Sequence, residues 1–383
     1  MEYVKHFLYF ITNAIWHRSG VKLEKVRDPR NYSADEHLGW GSYKTKNSIK
    51  LIPTLSVKDQ GRTNTCTFQA KTIQKEIDEK IILSARSIIK KGVDLSLISG
   101  NGFAALSAPQ KVVTNYGIMS ATTCPDMYYE NWGALINIGL DSAEMEVHRD
   151  KAYYEVNSRN SRLKAIDNDH AFTTAIKWYT GYNGRYLGET GVLTARNGYY
   201  VGGHSFTCLG YIMGYQGVKN NRLTLSADGQ KVYAFQNSYG EDWGVSFEHE
   251  GHQYHGIFFM PMDDFDNECV YGNFVSLDIE RNTADFLATY SGRNVRAKTG
   301  GGIYMISAGE SRLYKDWFTY LCWNNRNGFV QLTAEETEML NELPVGDAMN
   351  AEASEIYRKF KDQLKELTSP ALLDTLLEII NRE

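Results

Sequence analysis

Residues 56–70 read Ser-Val-Lys-Asp-Gln-Gly-Arg-Thr-Asn-Thr-Cys-Thr-Phe-Gln-Ala. Cys66 follows a polar turn and opens an apolar-periodic run, which predicts a helix from Thr65 to about Lys91. A helix N-terminus carries unpaired N–H groups and about half a positive charge. Both favour the thiolate, the form of cysteine that attacks carbonyls. Gln60 stands six residues before Cys66, where its side-chain amide could donate to a developing oxyanion.

The bulk composition bounds the class of protein. The chain has 383 residues, enough for two or three domains or for one large domain with extensions. Its formal charge of −5 gives no basic surface field, so nucleic acid is not favoured as a partner. The five cysteines are widely spaced, without a CxxC pair or metal-ligand spacing. No cofactor is therefore expected, and the thiols are interpreted as reduced, as in the cytoplasm or another reducing compartment. They are Cys66, Cys124, Cys208, Cys269 and Cys322.

The N-terminus faintly resembles a signal peptide, with Lys5 before the apolar run 7–11. Polar Thr12 and Asn13 interrupt that run and no small-residue cleavage site follows, so secretion is not clearly indicated. Residues 1–20 are interpreted as an amphipathic helix, and the apolar stretch is too short to span a bilayer. Residues 1–47 as a whole are predicted to be an N-terminal extension.

The patterning changes along the chain from helical to strand-like, which predicts an α+β fold. Further helices are predicted at 104–115, 142–165 and 169–179, and strands at 49–52, 191–193, 204–213, 222–225, 231–236, 256–260 and 274–277. Residues 281–383 are expected to be a mainly helical extension. Its helices are predicted at 333–343, with a capping box of Thr333 and Glu336, and at 351–367 and 370–381.

A nucleophilic cysteine needs a base, and nine histidines are available. His204 follows two glycines at the mouth of an apolar strand, where a cleft-facing imidazole would stand beside open backbone. Taken alone, a strand-end histidine bonded to a carbonyl explains it better. The cluster of His249, His252 and His255 is the metal candidate, but its carboxylate neighbours make no recognised motif, and a solvated loop is the favoured interpretation.

Asn237 favours a catalytic role for His204. It ends a strand in the run Asn-Ser-Tyr-Gly-Glu-Asp-Trp-Gly over 237–244. An amide oxygen there can accept the proton of one imidazole nitrogen and leave the other facing sulfur. Tyr239 or Trp243 could cover that bond and exclude water. The alternative is an ordinary strand-end turn.

These residues resemble the papain-like cysteine peptidases. The order Gln60, Cys66, Gly-Gly-His204 and Asn237-Ser-Tyr-Gly is similar to the family's motifs. The Cys-to-His spacing also falls in the roughly 130–150 residues typical of the family. The likeness covers about 48–280.

The resemblance implies a two-lobed fold with a helical lobe at about 48–180 and an antiparallel β lobe at about 181–280. It implies Cys66, His204 and Asn237 as the catalytic set, with Gln60 in the oxyanion hole. The expected substrate-binding residues along the cleft are Asn101, Gly102, Gly203, Tyr239 and Trp243.

Four features depart from the family pattern. Thr63 and Ser99-Gly100 stand where secreted members carry a disulfide, and Thr67 replaces the aromatic residue after the nucleophile. Tyr239 stands in place of the usual tryptophan. The longer interval from His204 to Asn237 predicts an extended hairpin tipped by Asn220-Asn221 and Asp228-Gly229. No inhibitory pro-segment is recognisable, so either control differs or residues 1–20 dock across the domain.

Three hypotheses follow. The leading one is a cysteine endopeptidase acting on polypeptides. The second is a weak or inactive papain-fold scaffold, held in an assembly, such as a phage virion, by a partner or self-association through 281–383. The third is cell-wall amidase chemistry on a related cysteine–histidine fold.

Overall fold

The computed structural model describes residues 20–22, 32–45, 47–127, 131–183, 187, 190–193, 198–269, 272–277, 286–287, 289–290, 293–298, 302–307, 310–315, 319–320 and 329–349. The chain forms two compact units. The first comprises residues 1–34 and 43–278, and the second comprises 35–42 and 279–383.

The helices within the described residues are α1 (Ala34–His37), α2 (Cys66–Glu79), α3 (Ala85–Asp94), α4 (Ser107–Tyr116), α5 (Trp132–Ile136), α6 (Ser142–Val147), α7 (Arg159–Asp167), α8 (Met262–Glu268) and α9 (Ala334–Glu342). The strands are β1 (Val21–Lys22), β2 (Tyr32–Ser33), β3 (Ile49–Leu51), β4 (Ala104–Ala105), β5 (Ala152–Glu155), β6 (Phe172–Tyr179), β7 (Tyr200–Lys219), β8 (Arg222–Leu225), β9 (Gln230–Gln236), β10 (Val245–His249), β11 (His252–Pro261), β12 (Asn273–Leu277), β13 (Asn294–Arg296), β14 (Ile303–Ser307), β15 (Glu310–Leu313) and β16 (Val330–Gln331).

Helix α2 is the central element of the first unit. It packs against α3 and α4 on one side and against β6 and β7 on the other. Its apolar side joins a fully buried cluster built mostly from the helices, including Phe68, Ile88, Val112 and Leu135. Burial of such side chains stabilises the fold by roughly 1.5–3 kcal/mol each. The first residue of α2 is thereby fixed between the helical and β parts.

The polar side of α2 is buried as well. Lys71 lies 2.5 Å from the Asp150 carboxylate and Lys75 lies 2.9 Å from the other oxygen of that carboxylate. Burial lowers the pKa of Lys71, whereas the two lysines lower the pKa of Asp150 against the effect of burial. This paired network fixes the rotation of α2.

Twelve strands of the described residues form one sheet in the first unit. Nine of them follow the path β2-β5-β12-β6-β7-β8-β10-β11-β9, and β1, β3 and β4 pair off this path. Strand β9 pairs with both β11 and β7, so the last five strands of the path close a ring. The predicted hairpin joins β7 to β8. Asn220 and Asn221 both have positive φ, of 51° and 58°, as a two-residue turn between twisted strands requires.

The long helix predicted from Thr65 to about Lys91 is wrong in its extent. Helix α2 ends at Glu79, because Lys80 adopts a left-handed conformation with φ 61°. Helix α3 then starts anew, with the Ser84 side chain accepting from the Ser87 N–H. The end of α2 and the start of α3 both bury apolar residues, so the helical spacing of apolar residues in the sequence continues across the break.

The predicted helix at 169–179 is also wrong, since Phe172–Tyr179 forms β6. This strand lies between β12 and β7 and is buried on both faces, so its sequence lacks the alternation of a half-exposed strand. Residues 142–165, predicted as one helix, instead hold α6, β5 and the larger part of α7.

The other predicted strands of the β half are present, although β7 is twice as long as the predicted 204–213 and 191–193 is reduced to a single bridge from Val192 to Phe259. Strand β10 is not among those predicted. The interpretation of the histidine cluster as a solvated loop is wrong. His249 ends β10, and His252 and His255 belong to β11. His255 bonds the Ser246 hydroxyl and His252 accepts from the Thr54 N–H. The described residues contain no group of three or more potential metal ligands.

In the second unit the described residues form a sheet of order β15-β14-β13-β16 and helix α9. This part of the predicted mainly helical extension therefore contains strands as well as helix. The capping box is confirmed, because the Thr333 side chain accepts from the Glu336 N–H and the Glu336 carboxylate accepts from the Thr333 N–H. The helices predicted at 1–20 (apart from residue 20), 351–367 and 370–381 lie outside the described residues. Among those described, no helix is long and apolar enough to cross a bilayer.

Candidate active site

Cys66 is the first residue of α2 and its side chain is fully buried. Burial raises the pKa of the thiol from its usual value of 9.0 to about 11. Backbone N–H groups of Ser205, Gly20 and Thr67 and that of Cys66 itself lower it in part. The sequence predicts a helix N-terminus that favours the thiolate; those N–H groups are present, but desolvation outweighs them.

His204 and Asn237 are in direct contact. The Nε2 atom of His204 lies 2.7 Å from Oδ1 of Asn237, and both residues are fully buried. The same Oδ1 accepts the Ser238 N–H at 2.8 Å, which fixes the orientation of the amide. Since a carbonyl oxygen only accepts, Nε2 is assigned the proton and Nδ1 of the neutral ring carries a lone pair.

Aromatic rings enclose His204. Tyr239 stacks on the imidazole with a centroid distance of 4.7 Å, and the edge of Trp178 contacts it at the same distance. Trp243 packs against both aromatic residues. Water is excluded from the His204–Asn237 bond, which strengthens it. Trp178 is not among the predicted site residues, because the sequence predicts a helix for its segment. The threonine and aromatic content of β6, which is typical of strands, is the signal that could have identified it.

Gln60 connects the loop before Cys66 to the loop after Asn237. Its Nε2 donates to the Thr63 carbonyl at 2.8 Å, and its Oε1 accepts from the Ser238 hydroxyl at 2.7 Å. Its backbone N–H donates to the Ser238 carbonyl. These bonds hold the Gln60 side chain in place. Its amide nitrogen carries a second hydrogen, which remains as a donor for an oxyanion.

The predicted substrate segment lies against the turn before the cysteine. The Asn64 N–H donates to the Asn101 carbonyl at 2.9 Å, and the two side-chain amides also bond. Gly102 has φ 127°, and a Cβ there would lie 2.7 Å from the Asn64 carbonyl carbon. Asn101 and Gly102 therefore brace this turn. Thr63, in place of a disulfide cysteine, bonds the Gln60 carbonyl instead.

A short strand lies across the space between the two halves. Val21 of β1 pairs in parallel with Ala104 and in antiparallel with Gly203. The Gly20 carbonyl accepts the Ala104 N–H at 2.9 Å, and Val21 shares an apolar cluster with Cys66. Residues 20–22 thus occupy the backbone expected to pair with substrate. Of the stretch 1–20 proposed to dock across the domain, only Gly20 is described, and it lies against the sulfur.

Together these groups provide a thiol, an imidazole oriented by an amide, and backbone N–H donors at a helix N-terminus. Such a set supports nucleophilic attack on a carbonyl. Gly203, Tyr239 and Trp243 lie on the His204 side, whereas Asn101 and Gly102 lie on the side of the turn before Cys66.

No protein-family model matches the sequence, and the comparison with curated proteins likewise found no match. Solved structures do resemble it. Xylellain, a cysteine protease from Xylella fastidiosa, is 16% identical with a TM-score of 0.52, over 68% of this chain and 96% of its own. Digestive procathepsin L 3 from Tenebrio molitor larval midgut is 17% identical with a TM-score of 0.48, over 70% and 78%. The likeness to xylellain confirms the predicted papain-like α+β fold.

Proposed function

We propose that this chain is a cysteine peptidase that hydrolyses peptide bonds through Cys66 and His204. The observation that carries the proposal is the 2.7 Å contact of His204 Nε2 with Asn237 Oδ1. That contact gives the His204 imidazole the tautomer of a general base. The next residue, Ser205, brings this part of the strand to Cys66, because its N–H reaches the Cys66 sulfur.

In the proposed reaction, Nδ1 of His204 takes the proton from the Cys66 thiol. The thiolate attacks the substrate carbonyl, and the carbonyl oxygen becomes an oxyanion held by the Cys66 N–H and the Gln60 amide. His204 then gives its proton to the leaving amine. A water molecule, deprotonated by His204, releases the acyl group and restores the thiol.

Substrate cannot reach Cys66 while residues 20–22 remain in place, because the side chain has no exposed surface. The proposed enzyme is therefore latent in this conformation and becomes active when β1 leaves the cleft. Loss of the cover also removes part of the desolvation that raises the pKa of the thiol. The access of substrate to Cys66 and the reactivity of its thiol would then increase together.

A peptidyl chloromethyl ketone tests the proposal, because it alkylates a cysteine that an adjacent imidazole activates. The reagent is used on the Gly20→Val variant, in which the added side chain cannot fit beside Asn64 and β1 is displaced from Cys66. We expect the adduct on Cys66 by peptide mass spectrometry, and its loss when His204→Ala is added. Preferential labelling of the partly exposed Cys269, or equal labelling of Cys66 with and without His204, would contradict the proposal.

The scaffold hypothesis remains the second candidate, favoured by the full burial of Cys66 and its raised pKa. It predicts that Cys66 stays unreactive even when β1 is displaced. It also predicts that removal of residues 281–383 changes the state of assembly without any peptidase activity appearing.

A further inference from the structure

Tyr239 carries a hydroxyl at a point where a purely apolar ring would suffice to cover His204. Its Oη lies 3.4 Å from Nδ1 of His204, and the two rings stack with an angle of 26° between their planes. The side chain is 3% exposed, so water does not compete strongly for either atom. The nitrogen it contacts is the one not engaged by Asn237.

The direction of this hydrogen bond follows from the protonation states. Nε2 holds its proton toward Asn237, so Nδ1 of the neutral ring accepts. Burial and the charge that Cys66 can carry hold the pKa of Tyr239 well above its usual range, so the phenol keeps its proton and donates. Cys66 must deliver its own proton to the same nitrogen during catalysis.

We propose that Tyr239 is a positioning residue whose hydroxyl donates to Nδ1 of His204 and so competes with Cys66 for the base. This contact stabilises the neutral thiol and imidazole over the thiolate–imidazolium pair. The inference rests on the proposed function, since it assigns Tyr239 a role at the same base.

Among the described residues, two titratable groups face this imidazole from neighbouring elements. Tyr239 lies on the loop after β9, and Cys66 lies on α2 with its sulfur against the Ser205 backbone. The contacts from β6 and β7, Trp178 and Phe206, carry no titratable group, and Asn237 is a neutral amide. A change confined to the Tyr239 hydroxyl should therefore be seen in the titration of the thiol.

The test is the Tyr239→Phe variant, which keeps the stacked ring and removes the hydroxyl. The Cys66 thiolate is followed by its ultraviolet absorbance against pH, with Cys66→Ser in each background as the blank. We expect the midpoint of thiolate formation to fall by about half a unit to one unit, the effect of losing one neutral hydrogen bond.

Tyr215→Phe is the matched control. Tyr215 is also a buried tyrosine, it lies on β7 with His204, and its hydroxyl donates to the Thr190 carbonyl and not to the imidazole. Its midpoint should equal that of the wild type. A midpoint in Tyr239→Phe that is unchanged, or that rises, overturns the inference. The titration needs no turnover, so the midpoint shift and peptide cleavage can succeed or fail independently.

Discussion

Gly20 and Asn64 lie so close that no side chain fits on Gly20: an added Cβ would be 1.8 Å from the Asn64 carbonyl oxygen. Asn64 cannot easily yield, because its N–H and its side chain both bond Asn101. Glycine is therefore required for residues 20–22 to lie over Cys66. This contact links a single position in the N-terminal segment to access to the sulfur.

Gly20→Val should displace β1 and expose Cys66. We expect alkylation of Cys66 by iodoacetamide to accelerate at least tenfold, measured by peptide mass spectrometry. Gly139→Val is the control, since a Cβ on Gly139 meets nothing within 4 Å. Equal labelling of Cys66 in the two variants would show that β1 does not restrict access.

The pH dependence of that labelling should report the raised thiol pKa. A raised pKa means that less thiolate is present at neutral pH, about one part in ten thousand when the pKa is about 11. Wild-type alkylation should thus rise with pH up to about 11, whereas that of Gly20→Val should level off at lower pH. A wild-type rate that levels off near neutrality would contradict the role assigned to burial.

Gln60→Ala should impair catalysis without abolishing it. Losing one oxyanion donor typically costs about 2.7–4 kcal/mol of activation free energy, or roughly 10²–10³ in kcat. The comparison variant Ser238→Ala removes only the hydroxyl that holds the Gln60 amide, so its loss should be smaller. Both are measured as kcat in the Gly20→Val background. Unchanged turnover in Gln60→Ala would remove Gln60 from the site.

Lys71→Met should destabilise the first unit by about 1.5–3 kcal/mol, because the buried Asp150 loses one of its two charged partners and keeps only Lys75. Lys90→Met serves as the control, since Lys90 pairs with Asp94 at the surface of α3, where such a pair contributes about 0–1 kcal/mol. Urea unfolding of the full chain measures both. Similar effects of the two substitutions would show that the Lys71 network does not stabilise α2.

Much of the site could be predicted because its features are local in sequence. The cysteine at a helix start, the strand entering His204 and the strand end at Asn237 all depend on neighbouring residues. The Asn220-Asn221 hairpin was predictable for the same reason, since asparagine readily adopts positive φ.

What the sequence did not reveal depends on contacts between distant segments. Strand β6 pairs with β7 and β12 at its edges and is buried on both faces, so its pattern resembles that of a helix and does not mark Trp178. Two residues of β1 pair with partners far along the chain, and no local pattern marks such pairing. The burial of Cys66, and hence the direction of its pKa shift, follows from that contact.

Peptide cleavage by Gly20→Val, compared with the double variant Gly20→Val/Cys66→Ala, tests the central claim most directly. Digestion of an unfolded protein substrate is followed by mass spectrometry of the products. We predict cleavage by the single variant and none by the double variant. No cleavage by Gly20→Val despite an accessible, alkylated Cys66, or cleavage that persists without Cys66, would contradict the account.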